Sequence, residues 1–203
     1  MRKIFVTGIG TDVGKTIVSA VLVEALKADY WKPIQAGTIP TTDSLLVKEL
    51  IFNTQSKIYP EAFLLREPMS PHAAAELEHV EITIDKVKVP ETTNTLIIEG
   101  AGGLMVPLNK NELVIDLIKK CDAEVILVIQ NYLGSINHSL LSIELLKQKK
   151  AKILGVIISG NENKASEEFI LNYSRLKLLG RINKEVTFDK SVILKYIEVF
   201  KHI

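Results

Sequence analysis

The sequence predicts an α/β fold: a single domain over residues 1–203, built on a doubly wound, mostly parallel sheet with helices on both faces. Three observations carry this expectation. Short runs rich in Val and Ile alternate with longer amphipathic stretches, the runs are apolar through their interiors, and no repeat or low-complexity linker divides the chain. A strand apolar on both sides suits a sheet covered on both faces. Strands alternating with helices give βαβ units.

Taken in order, residues 4–6 give the first strand and 16–27 the amphipathic helix after it. Residues 30–32 give a short strand that Pro33 stops, and Asp43 opens a helix over 44–52 as its N-cap. The apolar run 95–98 is the next long strand, followed by a helix at 113–120, a strand at 124–129 and a helix at 137–149. A strand at 153–159, a helix at 166–173, a strand at 178–182 and a closing helix at 189–201 complete the pattern. Residues 53–95 are less regular: they hold Pro60, Pro68, Pro71 and Pro90 and one short helix, 71–78. This region reads as an excursion across the C-terminal edge of the sheet.

Composition excludes several classes. A net charge of +1 offers no field to attract nucleic acid or an anionic membrane. One cysteine, Cys121, makes no internal disulfide and suits a reducing cytosol. Arg2 and Lys3 precede an apolar run, but Gly8, Gly10 and Asp12 interrupt it too early for an export signal. No stretch reaches the ~18 apolar residues of a membrane span. A soluble cytoplasmic protein with no nucleic-acid or membrane partner is the expectation. His72, His79, His138 and His202 lack metal-ligand spacing, and Lys147, Lys149, Lys150 and Lys152 read as a solvated helix end.

The strongest signal is Gly8-Ile9-Gly10-Thr11-Asp12-Val13-Gly14-Lys15-Thr16, lying between a strand and a helix. That context marks a phosphate-binding P-loop, and hence the P-loop NTPase fold. Glycines let backbone N–H groups approach phosphates, and the helix N-terminus adds partial positive charge. Lys15 supplies a full charge to the β- and γ-phosphates of a nucleotide, and the Thr16 hydroxyl suits Mg²⁺. Five residues rather than four separate Gly8 from Gly14, so the loop is a variant. Asp12 inside it is expected to point away from a triphosphate.

A Mg²⁺ on such a loop needs further oxygen ligands. Glu99 ends the apolar run Leu96-Ile97-Ile98 at the ligand-binding edge of the sheet. Gly100, Ala101, Gly102 and Gly103 follow and let backbone approach a ligand or the loop. Asp43 reads from local sequence as a helix cap, placed where its carboxylate could also reach a metal. For Lys32, local sequence leaves two readings open: a surface lysine, or a charge that stabilises a transferring phosphoryl group.

These segments, with Lys32-Pro33-Ile34-Gln35-Ala36-Gly37, Ser70-Pro71-His72 and Leu133-Gly134-Ser135-Ile136-Asn137-His138, resemble dethiobiotin synthase in order and over most of the chain. The five-residue gap in the loop is the family's own. The resemblance implies an ATP-dependent enzyme of biotin synthesis that joins CO₂ to 7,8-diaminononanoate and closes a cyclic urea. It implies Lys32 and Lys15 as catalytic, and Thr16, Asp43 and Glu99 as ligands of Mg²⁺. For ATP, the co-substrate, it implies a site formed by Asp12, Val13, Gly14, Lys15, Thr16, Ile17, Glu99, Gly100, Ala101, Gly102, Ser159 and Gly160. For the diamine it implies Thr11, Asp12, Lys32, Ala36, Gly134, Ser135, Ile136 and Asn137. The last four receive the substrate's carboxylate tail from a neighbouring subunit, so a homodimer is implied.

Three departures touch substrate and base. Ala36 stands where some members have Ser. Ser159 stands where an adenine-reading Asn is expected, with Asn161 two residues on, and Asn183 replaces the Pro of a Gly-x-Ile-Pro segment. Base preference is therefore open between ATP and other nucleoside triphosphates. Two other functions compete: a related ATP-dependent amide-forming ligase, which needs a nitrogen donor this chain has no length for, and a ParA/MinD-like ATPase switch. The switch proteins carry an extra lysine early in the loop, where Ile9, Gly10 and Thr11 offer none.

Overall fold

The computed structural model describes residues 1–38 and 41–203. The chain runs β1 (Lys3–Gly8), α1 (Lys15–Leu26), β2 (Asp29–Trp31), β3 (Ile34–Ala36), α2 (Asp43–Leu50), β4 (Ile58–Tyr59), β5 (Phe63–Leu65) and α3 (Pro71–Leu77). A 3-10 turn at Ile84–Lys86 leads to β6 (Leu96–Gly103), α4 (Val114–Cys121), β7 (Glu124–Gln130) and α5 (Ser135–Gln148). The chain ends with β8 (Lys152–Ser159), α6 (Lys164–Ser174), β9 (Leu178–Ile182) and α7 (Lys190–Phe200).

Seven strands form one sheet in the order β4-β2-β6-β1-β7-β8-β9, every neighbouring pair parallel. This is the doubly wound α/β fold the sequence predicts. Its centre is apolar on both sides. Ile4, Phe5 and Val6 of β1, Ile97 and Ile98 of β6, and Val125 to Val128 of β7 are fully buried. Each such side chain contributes roughly 1.5–3 kcal/mol on leaving water. Helices α1, α2 and α7 pack together, and so do α5 and α6. No helix among the described residues is long and apolar enough to cross a membrane.

The structure corrects the reading in four places. Residues 53–95 do cross the sheet edge, since Pro68 to Pro71 line the main cleft. They also carry β4, which extends the main sheet, and β5, which pairs with β3 in a separate two-stranded sheet. Strands of two or three residues are too short to show a period. Second, β6 does not stop at Glu99 but continues through Gly103, opposite Gly8 of β1, after a register shift. Third, α5 starts at Ser135 rather than Asn137, because Gly134 adopts φ 98° as its N-cap. Fourth, the N-cap of α2 is Thr42, whose hydroxyl accepts from the Leu45 N–H at 3.3 Å. Asp43 is the first helical residue, and its carboxylate is left for other partners.

Candidate active site

A cleft of about 720 Å³ opens at the C-terminal edge of the sheet, between the loop after β1, the ends of β2 and β6, the start of α2, and Pro68 to Pro71. This is where an open parallel sheet presents the ends of its strands. The loop itself is held tightly. Gly14 adopts φ 90°, and a Cβ there would lie 2.5 Å from the Ser159 hydroxyl, so the position admits only glycine. Asp12 sits exposed on the loop at φ 56°, a left-handed conformation that Asp tolerates better than most residues.

Lys15 is buried in the cleft floor, and its Nζ donates to the Gly10 carbonyl at 2.7 Å. Burial is the largest influence on it and lowers its pKa to about 8, against the opposing pull of Glu99. Thr16 Oγ1 lies 2.9 Å from Glu99 Oε1 and 3.1 Å from Asp43 Oδ1. With a single proton, the hydroxyl donates to one of them at a time.

Lys32 lies just past the end of β2. In the register of that strand with β6, Tyr30 stands opposite Ile97 and Trp31 opposite Ile98. One step further brings Lys32 to Glu99, with Nζ to Oε1 at 3.0 Å, while Nζ meets Asp43 Oδ2 at 2.6 Å. The side chains of Lys32 and Glu99 are 5% and 0% exposed, which rules out the surface-lysine reading. Burial alone would lower the Lys32 pKa; the charges of Glu99 and Asp43 outweigh it and raise the value, so the lysine is charged. Glu99 Oε2 accepts a further hydrogen bond from the Tyr30 hydroxyl at 3.0 Å. Burial, then the Glu99 charge, push that phenol well above its ordinary pKa, so Tyr30 is a donor here.

Thr16 Oγ1, Asp43 Oδ1 and Glu99 Oε1 thus converge from three elements. Two carboxylates and a hydroxyl are hard oxygen donors, a set that fits Mg²⁺ better than a soft metal. Among the described residues no group of three or more His, Cys, Asp or Glu forms a metal cluster, so a cation held here would need further oxygens from outside the chain's carboxylates.

The expected nucleotide and diamine residues divide in the structure. Thr11, Asp12, Gly14, Lys15, Thr16, Ile17, Lys32, Ala36, Asp43, Glu99, Ala101 and Gly102 all line the one cleft. Val13 is buried behind the loop, and Gly100 faces the Phe5 ring inside the sheet. Ser159 packs under Gly14, and Gly160 follows with φ 88°, its N–H bonded to the Ile182 carbonyl at 2.8 Å.

Gly134, Ile136 and Asn137 line a separate cavity of about 680 Å³ with Asn131, Asn161 and Asn163. Ser135 is buried behind it, and its N–H donates to the Tyr132 carbonyl at 3.0 Å. No side chain caps α5, which leaves N–H groups of its first turn for another acceptor. Tyr30 and Gln35 shape the main site without having been among the expected residues. Tyr30 was findable as the strand residue two before Lys32, hence on the same face. Gln35 is buried, accepts from the Asp43 N–H at 3.2 Å and donates to the Gly37 carbonyl at 2.8 Å, so it fixes where α2 begins.

A glycine-rich loop seated between a parallel strand and the helix it opens defines a P-loop nucleotide-binding protein, and comparison with known proteins gives the same class. A family model described as an AAA domain matches residues 2–191. The cell division ATPase MinD of Pyrococcus furiosus superposes with a TM-score of 0.65 over 100% of this chain and 99% of that one, at 13% identity. A ParA family ATPase from Chlorobium tepidum gives a TM-score of 0.54 over 97% and 98% of the chains, at 10% identity. Identities this low show a shared fold alone. Sequence relatives narrow the class. A protein of Christiangramia forsetii named ATP-dependent dethiobiotin synthetase BioD is 52% identical over 98% of this chain and 96% of its own length. Proteins of the same name from Cytophaga hutchinsonii and Chlamydia pneumoniae are 48% and 40% identical, over 97% and 100% of this chain and 95% and 91% of theirs. The chain belongs to the ATP-dependent dethiobiotin synthetase family.

Proposed function

We propose that this protein carries out the reaction its relatives are named for: ATP-dependent closure of 7,8-diaminononanoate with CO₂ to the cyclic urea of dethiobiotin. The single observation that carries the reading is Lys32, a buried charged lysine held between Asp43 and Glu99 beside the P-loop. That lysine lies at a strand end, where the same cleft also reaches Thr11 and Ala36.

The chemistry runs in three steps. One amine of the diamine adds to CO₂ and loses a proton, giving a carbamate. A carbamate oxygen attacks the γ-phosphorus of ATP, the bond to the β-phosphate oxygen breaks, and ADP leaves a carbamic–phosphoric anhydride. The second amine attacks the carbonyl, phosphate departs with the C–O electron pair, and loss of a proton leaves the urea. None of these steps needs a covalent protein nucleophile; positioning and anion stabilisation suffice.

The chain's own groups supply both. The loop N–H groups and Lys15 cradle the phosphates, Lys15 exchanging its Gly10 contact for phosphate oxygens. Lys32 places its charge beside the carbamate and the transferring phosphoryl group. Thr16, Asp43 and Glu99 are the residues that would hold Mg²⁺, which when bound neutralises phosphate charge. Thr11, Asp12 and Ala36 flank the reacting end of the diamine. The uncapped start of α5, at Gly134 to Asn137, is proposed to receive the carboxylate tail of a diamine held by a neighbouring copy, as helix starts bind anions. What supports a homodimer is that this cavity is separate from the main cleft of its own chain. What supports a cytoplasmic enzyme is that the one cysteine, Cys121, is buried and free, as suits a reducing compartment.

The test is phosphate release from Mg-ATP with and without the diamine and bicarbonate, with Lys32→Ala as control. Release that requires both substrates and collapses in the variant is the expected result. Release indifferent to the diamine sinks the reading. The same assay with GTP and CTP reads base preference, which Ser159 and Asn183 leave open.

A further inference from the structure

Tyr30 is completely buried in β2, and among the described residues its hydroxyl has one hydrogen-bond partner, Glu99 Oε2, at 3.0 Å. Glu99 is itself buried, and its other oxygen receives Lys32 at 3.0 Å and lies 2.9 Å from the Thr16 hydroxyl. The two oxygens therefore face different surroundings: Oε1 meets groups of the cleft, and Oε2 meets one phenol inside the sheet. We infer that Tyr30 is a positioning residue for the metal site, its hydroxyl fixing the rotation of the Glu99 carboxylate so that Oε1 stays aimed at Thr16.

The argument is steric and electrostatic. The terminal torsion of a glutamate is broad, so packing alone does not set the plane in which its two carboxylate oxygens lie. Lys32 and Thr16 cannot fix it, because both face the cleft and are themselves the groups that rearrange around phosphate and cation. Tyr30 can, because a fully buried ring on a paired strand has no freedom to follow the carboxylate round. Register places it there: Tyr30 stands opposite Ile97, two residues before Glu99 and on the same face. Partners that orient a ligating side chain typically change metal affinity by about 10- to 100-fold.

This inference rests on Thr16, Asp43 and Glu99 being the metal ligands. Its test measures Mn²⁺ binding by electron paramagnetic resonance to the enzyme with ADP, in wild type, Tyr30→Phe and Tyr59→Phe. Tyr59→Phe removes a phenol oxygen elsewhere, one bonded to Asp29 and the Glu91 carbonyl. The expected result is Mn²⁺ affinity about tenfold weaker in Tyr30→Phe, with metal-free ADP binding and the Tyr59→Phe variant unchanged. In a Glu99→Ala background, Tyr30→Phe should weaken Mn²⁺ no further. A purely structural phenol would lower the unfolding temperature and leave the Mn²⁺ constant where it was. That outcome, or an equal loss in the Glu99→Ala background, overturns the inference. If wild type with ADP takes up no Mn²⁺, the metal reading fails and takes the inference with it. Equal binding by wild type and Tyr30→Phe removes the inference alone. Should Tyr30→Phe be too unstable for titration, the Mn²⁺-dependent part of the thermal shift with ADP gives the same comparison.

Discussion

Glu99 and Glu167 are both buried carboxylates at the same edge of the sheet, each paired with a cation from a neighbouring strand or its extension. Glu167, in the first turn of α6, is filled on every side. Its Oε1 accepts from the Asn131 side chain at 2.5 Å and the Asn163 N–H at 2.9 Å, and its other oxygen pairs with Arg181 of β9. Burial alone would raise its pKa; the Arg181 hydrogen bond leads the contacts that outweigh it and hold the carboxyl below its ordinary value. Glu99 has one such permanent partner, Tyr30, and two that face a cleft, Lys32 and Thr16. A charge satisfied by fixed donors ties elements together. A charge satisfied by donors that can exchange is available for a ligand.

Five measurements press on this contrast. The largest effect is expected at Lys32: alanine there should lower kcat by about 10²- to 10³-fold, the usual cost of losing a donor that stabilises transition-state charge. Steady-state kinetics check it, and a variant within threefold of wild type would put Lys32 with the structural cations. Glu167→Ala should do the reverse, costing about 2–3 kcal/mol of stability for a broken, mostly buried pair while leaving kcat near wild type. Because the Glu167 pKa is depressed on folding, its stabilisation is present above the ordinary carboxylate value and lost as pH falls through the folded one. Urea unfolding should therefore separate wild type from Glu167→Gln at neutral pH, and the gap should narrow as pH falls below the ordinary carboxylate range.

Lys15 gives the next effect. In the empty enzyme it is charged below its pKa of about 8, and above that nucleotide binding must draw a proton from solution. Affinity for Mg-ADP should then fall with rising pH above that point, by up to about tenfold per pH unit. A flat profile in calorimetry across that range would show Lys15 to be held charged without a ligand. The smallest effect belongs to Thr42, where Thr42→Ala removes a helix cap and should cost about 1 kcal/mol. A concurrent loss of metal affinity would show that the cap also sets Asp43, which a purely local cap would not.

What was legible in the sequence follows from range. The runs 4–6, 95–98, 124–129 and 153–159 announced β1, β6, β7 and β8 because strands covered on both faces are apolar through their interiors, with polar residues only at their ends. Lys15 and Thr16 were legible because a P-loop is contiguous. Strands β3, β4 and β5 were not, since two or three residues have no measurable period and owe their pairing to tertiary contacts. Thr42 and Asp43 are adjacent and both good caps; only the geometry assigns the cap to Thr42 and frees Asp43. The Glu167–Arg181 pair joins a helix to the strand after it, and nothing local connects them. Glu99 was legible as the acid ending an apolar strand, a resemblance decided between open readings of Asp43 and Lys32, and the fold brings the three charged groups together.

Gly14 and Ser159 claim the same small volume although 145 positions separate them in the chain. In descendants of this gene they would therefore change as one locus. A larger residue at 159, of a kind long enough to discriminate among bases, must leave that volume in a direction that spares the loop, or the loop must give way. Selection for a choosier base pocket and selection for an intact phosphate seat act on a shared boundary, and the serine marks where the two are currently settled.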